Sequence, residues 1–364
     1  MLLTIVASVC LLAWVNGAND NFKGVATLFG AGVADYRRAL GWGTAATWLG
    51  GLAAVYWGQD LLARFSGLYG QPNWPDPSFA LVVGLAAAIT VTGATQLGMP
   101  VSTTHALVGA LTGAALASAH DFPWHSLFNT VFLPLLASPI VAMTITSALY
   151  PPLRWLRRRL GIVKRSCVCI GAVETETLPA EVSALVRAVP LQMSVGNMKQ
   201  CQEIYAGRLL GLSAEKVLTV LHYLSAGLVS FARGWNDTPK IAALVIISPV
   251  FQARPSLALL IVAVVMAAGG WLMAERVAKT LSHNITPMNA GQGFTANLAT
   301  SALVLLANWY ALPVSTTHVS GGSLFGLAWL TGQGRLSIII SIALCWVFTV
   351  PVSMVFGYCL RAIL

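Results

Sequence analysis

A chain of 364 residues with 57% hydrophobic and only 9% charged residues falls far below the roughly 25% charged content of soluble domains. Mean hydropathy is +0.74, so the composition is that of a polytopic membrane protein and excludes a soluble all-α enzyme. The net charge of +9 does not mark a nucleic-acid binder, because the basic residues gather in short segments between apolar runs, without interleaved aromatics.

The first apolar run covers residues 2–34. It is interrupted by NGANDNFKG at 16–24, which carries Asp20 and Lys23 into the span. Residues 2–15 lack a basic leading segment and a small-residue cleavage site, so they predict a retained helix rather than a signal peptide. Runs able to cross ~30 Å of hydrocarbon, about 20 helical residues, follow at 40–58, 79–97, 101–118 and 126–150.

Residues 151–215 are hydrophilic and hold Arg154, Arg157, Arg158, Arg159, Lys164 and Arg165. They predict a central cytoplasmic loop in which short helices can form and to which no chemistry is assigned. Its Cys167 and Cys169 predict no disulfide in a reducing compartment, and no further ligands stand near them for a metal.

Apolar runs resume at 217–251, 257–274, 295–311, 314–331 and 336–360. The run 217–251 is again too long for one plain helix. It is interrupted by RGWNDTPKI at 233–241, with Asp237 and Lys240 spaced as Asp20 and Lys23 are. A helix broken at mid-membrane accounts for the length and the polar insert in both cases.

PVSTTH occurs at 100–105 and again, identical, at 313–318. Asp20 precedes Ser102 by nearly the same distance as Asp237 precedes Ser315. Two motifs in the same order at matching separation predict an internal duplication. The expected organisation is a first membrane repeat at 1–150, the loop at 151–215 and a second repeat at 216–364. Most Lys and Arg fall inside if the N-terminus is outside and the central loop is cytoplasmic. If 79–118 and 295–331 are re-entrant helical hairpins, each half crosses three times, so the second half is inverted. The predicted fold is therefore an all-α integral membrane protein of two inverted-topology repeats with broken helices and re-entrant hairpins.

Asp20 and Asp237 are the acidic residues that fall inside spans, where an ionisable group is costly and marks function. An i,i+3 ion pair with Lys23 and Lys240 that merely holds helix shape is the plainer alternative. In each PVSTTH, proline stops one helix and Ser or Thr opens the next with a side chain suited to capping. A helix N-terminus offers free amides and a positive dipole end, so with three hydroxyls it suits a tetrahedral oxyanion. Simple capping is again the plainer alternative. His105 and His318 fit packing, helix-end hydrogen bonding or proton handling.

GANDNFKG, GWNDTPKI and the paired PVSTTH resemble the signatures of the inorganic phosphate transporter family, PiT. The resemblance implies a phosphate symporter with no organic cofactor, an inverted-repeat helical fold and a homodimer in the cell membrane. By position it makes Asn19, Asp20, Ser102, Thr103, Thr104, Asn236, Asp237, Ser315, Thr316 and Thr317 the binding residues. Sodium-coupled members commonly carry Asn three residues after the Asp. Here both positions are lysine, Lys23 and Lys240, as in one half of some proton-coupled members. The coupling ion expected is therefore the proton, with sodium as the alternative. Phosphate still carries a proton that an Asp can accept, whereas sulfate carries none, so two Asp residues favour phosphate or arsenate over sulfate. A channel would need a continuous polar lining, and a metal enzyme would need clustered ligands; the motifs provide neither.

Overall fold

The computed structural model describes residues 1–69, 78–118, 124–165, 169–171, 192–194, 204–206, 208–209 and 211–364. The fold is nearly all helical. In chain order the first part comprises α1 (Leu2–Asp20), α2 (Ala26–Gly30), α3 (Tyr36–Trp57), α4 (Gln59–Tyr69), α5 (Ser78–Gln96), α6 (Thr103–Ala117), α7 (Trp124–Leu127) and α8 (Leu133–Arg159). After the central segment come α9 (Ala214–Ala242), α10 (Pro249–Gln252), α11 (Pro255–Met273), α12 (Glu275–Lys279), α13 (Ala290–Trp309), α14 (Thr316–Thr331) and α15 (Leu336–Ile363). Among the described residues α1, α5, α8, α9, α11 and α15 are long and apolar enough to cross a membrane.

The chain forms two compact units. Met1–Arg154 and Leu218–Leu364 make up the first, and Trp155–Val217 the second. Both halves of the sequence thus share one unit. Within it α1 packs on α5 and α11, and α6 on α15. Buried Leu12, Phe65, Phe79, Val83, Leu107, Leu111 and Leu259 belong to one apolar core, and Phe22, Leu28, Leu40, Val277 and Leu281 to a second. α8 and α15 bury only about a fifth of their apolar windows, the pattern of helices that face hydrocarbon.

The second unit contains three short antiparallel pairings: Val163–Arg165 with Ile204–Ala206, Cys169–Gly171 with Gln192–Ser194, and Arg208–Leu209 with Leu212–Ser213. Short strands therefore stand where the sequence predicted at most short helices. Cys167 lies outside the described residues.

The first long run is broken as expected. α1 stops at Asp20, residues 21–25 form tight turns with Lys23 N–H on Asp20 O at 3.1 Å, and α2 restarts the helix. The second departs from expectation. α9 runs unbroken through Asp237, Pro239 and Lys240 to Ala242, and turns occupy 243–247 before α10. Asn236 and Asp237 each lie three or four residues from both Arg233 and Lys240, so a regular helix already presents the four near one face. No unwinding is needed there. The helix expected at 126–150 also extends further, as α8, to Arg159. Its three closing arginines are well placed against the negative end of the helix dipole.

The helix pair α5–α6 is held against α15 by backbone approach. A methyl group at Gly113 would lie 1.9 Å from the Met354 carbonyl oxygen, and one at Gly109 would lie 2.4 Å from that of Val350. Ser353 Oγ donates to Ala106 O at 2.6 Å across the same crossing. Small residues four apart permit such close helix packing in membranes. Gly113→Val is expected to destabilise the protein by about 1–3 kcal/mol or more through overpacking. Thermal unfolding in detergent, followed by tryptophan fluorescence, reads this as a lowered midpoint against a Gly67→Ala control, a site with open space around it.

Candidate functional site

The two PVSTTH segments form matching helix starts. Ser102 caps α6 by accepting from His105 N–H at 3.2 Å, and Ser315 caps α14 by accepting from His318 N–H at 3.3 Å. The extended backbone at each serine is that of a normal N-cap, so the proline-to-serine step sets where each helix begins. Thr103, Thr104, Thr316 and Thr317 occupy the first helical positions and are buried. The two serine hydroxyls therefore act as caps, and the threonines supply the side chains that meet other helices.

Asp20 at the end of α1 and Asp237 within α9 converge on these starts. Asn16 links them: its Nδ2 donates to Thr103 Oγ1 at 2.9 Å and lies 3.3 Å from Asp20 Oδ2 and 3.5 Å from Asp237 Oδ2. The lysines then cross between halves. Lys23 pairs with Asp20 and donates to Thr317 Oγ1 in the second motif and to Val101 O in the first, the latter at 3.1 Å. Lys240 donates to Thr104 Oγ1 in the first motif at 3.1 Å and to Val314 O in the second at 2.7 Å. Its distance to Asp237 Oδ1 is 3.7 Å. Each half thus lends its lysine to the other half's hydroxyls.

The asparagines hold the helix starts in place. Asn19 donates to Met99 O and accepts from Val101 N–H, at 3.0 and 3.1 Å, so it fixes the segment that turns into α6. Asn236 donates to Val314 O at 3.2 Å and to Asp237 Oδ1 at 2.9 Å. Thr316, at the first position of α14, is buried beside them in the chain.

His105 and His318 meet behind the caps, with ring centroids 4.4 Å apart, edge to face. Nδ1 of His105 lies 3.3 Å from Trp346 O, and Nδ1 of His318 lies 3.3 Å from Leu135 O. A carbonyl only accepts, so each Nδ1 carries the proton. Both Nε2 atoms are buried and have no hydrogen-bond partner among the described residues. The pair braces the two helix starts, each ring against the other and against a backbone carbonyl.

Arg233 and Asn16 escaped the sequence reading as site residues. Arg233 is 1% exposed. Its Nη2 donates to Asn16 Oδ1 at 2.7 Å, and its Nε lies 3.6 Å from Asp237 Oδ2. Nη1 reaches Asn21 Oδ1 and Thr47 Oγ1, each at 3.3 Å. The available signal was position: Asn16 stands four residues before Asp20, and Arg233 four before Asp237. Asp20, Lys23, Arg233, Asp237 and Lys240 are the buried Asp, Glu, Lys and Arg side chains among the described residues. Three cations against two carboxylates, beside two helix N-termini, make a site suited to an anion. Among the described residues Asn236 Oδ1 has no hydrogen-bond partner, and Arg233 Nε–H has none closer than its 3.6 Å ion pair with Asp237. No group of three or more possible metal ligands occurs among the described residues.

Residues 16–357 match the phosphate transporter family. The chain is 26% identical to a candidate phosphate permease of Pyrococcus abyssi over 97% of this chain and 95% of that one. It is 28% identical to a candidate phosphate permease of Chlamydia trachomatis over 100% of this chain and 99% of that one. A solved structure described as the sodium-dependent phosphate transporter shares the fold, with a TM-score of 0.65 at 20% identity, covering 100% of this chain and 98% of the other. Together with the six apolar helices and the duplicated anion-suited motif set, the match over nearly the whole length means that this membrane protein belongs to the phosphate transporter family.

Proposed function

We propose that the chain takes up inorganic phosphate across the cytoplasmic membrane as a proton symporter, by alternating access between two inverted repeats. The observation that carries this reading is the crossing of the lysines, Lys23 to Thr317 and Lys240 to Thr104. Each half supplies one carboxylate, one ammonium and one capped helix start. Tilting one half against the other would part these crossed bonds and open the site to one side at a time, as in carriers with repeats around a midplane site. Phosphate would sit between the two helix starts, taking hydrogen bonds from threonine hydroxyls and ammonium groups and donating its own proton to Asp20 or Asp237. Sulfate has no proton to donate, so a carboxylate beside it stays unpaired.

The proton is the coupling ion in this reading because each carboxylate already faces an ammonium. Sodium needs oxygen ligands, and an ammonium only donates. The structural relative is described as sodium-dependent, so sodium coupling is the second reading. The repeats would comprise 1–150 and 216–364, with α5–α6 and α13–α14 as re-entrant hairpins. The basic loop at 151–215 would lie in the cytoplasm and the N-terminus outside, following the distribution of Lys and Arg. A homodimer in the bilayer follows from the family resemblance.

Asp20→Asn and Asp237→Asn are expected to abolish labelled-phosphate uptake into proteoliposomes while the protein still inserts and stays monodisperse. Normal transport by either variant would make that carboxylate structural. Thr104→Val and Thr317→Val remove the hydroxyls that the lysines contact. Each is expected to weaken phosphate binding about tenfold, or about 1.4 kcal/mol, by calorimetry. Excess sulfate is expected to compete poorly and arsenate well. Replacing sodium by choline at fixed pH is expected to leave uptake intact, and collapsing the pH gradient with an ionophore to stop it. The opposite pair of results would establish sodium symport.

A further inference from the structure

We infer that Lys240 is the group that carries the coupling proton; this rests on the proton-symport reading above. The argument starts from the charge of the buried cluster. With every group ionised, Lys23, Arg233 and Lys240 outnumber Asp20 and Asp237 by one positive charge. A carrier must move its empty site as well as its loaded site across the membrane profile. An uncompensated charge is expensive in that environment. The empty site becomes neutral when one cation gives up a proton.

The geometry selects which one. An arginine guanidinium does not deprotonate in proteins. Lys23 is paired directly with Asp20 and is that carboxylate's closest cation. Asp237 is different, because Arg233 Nε lies 3.6 Å from its Oδ2 and Lys240 Nζ 3.7 Å from its Oδ1. Arg233 is attracted by both Asp20 and Asp237 and keeps its charge, so it stands as a permanent counter-ion and leaves Lys240 as the cation that can be neutralised without stripping Asp237 of its partner. The contacts of Lys240 tolerate both states. As an ammonium it donates to Val314 O and Thr104 Oγ1. As an amine it still donates to Val314 O and can accept from the Thr104 hydroxyl, which is donor and acceptor alike.

The groups that face Lys240 are few. Asp237 and Arg233 lie on its own helix. Asp20 attracts it from α1, with Lys23 attached to that Asp. Thr104 meets it from α6, Val314 from the segment before α14, and the Phe65 ring from α4 at 6.0 Å. The imidazoles of His105 and His318 stand at the same helix starts and carry their protons on Nδ1 toward backbone carbonyls.

The cycle then balances. The empty site has Lys240 as a neutral amine, and its charges sum to zero. Binding of dihydrogen phosphate is accompanied by proton transfer from the medium to the Lys240 nitrogen lone pair, which forms the ammonium, and the loaded site again sums to zero. Release on the far side returns the proton and the anion together. One proton moves with each dihydrogen phosphate ion, and both the loaded and the empty crossings are electroneutral.

The test separates exchange from net transport in proteoliposomes. Lys240→Arg keeps a donor and a positive charge that cannot be lost. Exchange of labelled for unlabelled phosphate, which uses only the loaded carrier, is expected to fall far less than net uptake, even though Lys240 contacts the site. Net uptake, which needs the empty carrier to return, is expected to fall to background. A structural role would reduce both together. Net uptake driven by the pH gradient in Lys240→Arg, or parallel loss of exchange and uptake, would overturn the assignment. A wild-type measurement stands beside it. Calorimetry of inorganic phosphate binding in detergent, in buffers of different ionisation enthalpy, is expected to show one proton taken up beyond those of phosphate's own ionisation. Absence of that proton overturns the assignment whether or not the variants fold. Wild-type uptake that follows sodium and ignores the pH gradient would instead overturn the symport reading itself.

Discussion

Asp20, Lys23, Arg233, Asp237 and Lys240 are packed out of water in one cluster, and each is tolerable there only because of the others. Desolvating a carboxylate or an ammonium costs several kcal/mol per ion even after relaxation. The cost is offset by opposite charge at close range and by filled hydrogen bonds. Both come from two sequence-distant halves: Asn16 bonds Arg233, Lys23 bonds Thr317 and Lys240 bonds Thr104. The halves are therefore joined at their centre by polar contacts, although their flanks are joined by apolar packing. Apolar packing between membrane helices has no strong directional preference. The polar centre fixes which groups must face which.

The same requirement accounts for the local chain geometry. An ammonium has three donors, and Lys23 and Lys240 each use a carbonyl that precedes a helix start, Val101 O and Val314 O. Those carbonyls are open to side-chain donors, Asn236 and Thr317 as well as the lysines, because the chain there is not yet helical. The proline and capping serine of each motif thus do two things: they open a helix at the site, and they leave a carbonyl for the lysine. Trp346 supports the first motif from outside, with its Nε1 on Pro100 O at 3.0 Å and its ring against His318. Substitution of the histidines would loosen both helix starts at once, because each ring is held by the other and by a distant carbonyl.

Much of this was legible in the sequence. Six identical residues repeated in two apolar contexts fixed the helix starts and caps, and Asp–Lys at i,i+3 in two long runs marked the centre. The sequence could not show which lysine meets which hydroxyl, because that crossing is a property of how the halves pack. It misled at RGWNDTPKI, where the long run and polar insert predicted a broken helix, yet Gly234 and Pro239 sit inside an unbroken α9. Gly234 is there for a different reason, since a methyl group would lie 2.1 Å from the Thr47 carbonyl oxygen of α3. Arg233 was seen only as one more positive charge. Its partners, Asn16 in α1, Asn21 in the turn after it and Thr47 in α3, lie far away in sequence, so nothing local announces that it is buried.

Arg233 also marks where the two halves cease to be equivalent. Its counterpart by position is Asn16, and the two are bonded to each other. An amide and a guanidinium in equivalent places make the second half richer in positive charge while the repeated motifs stay matched. A symmetric pair of arginines would add a further buried cation with no carboxylate to meet it. A symmetric pair of asparagines would leave the carboxylates balanced by the lysines alone, with no cation in excess for an incoming anion. The single difference leaves the two serine caps matched and confines the electrical asymmetry to the α9 side. Shape and charge are thereby set by different residues. The hydroxyls and caps can be retained across the two halves while the charge balance is adjusted at the positions flanking each Asp.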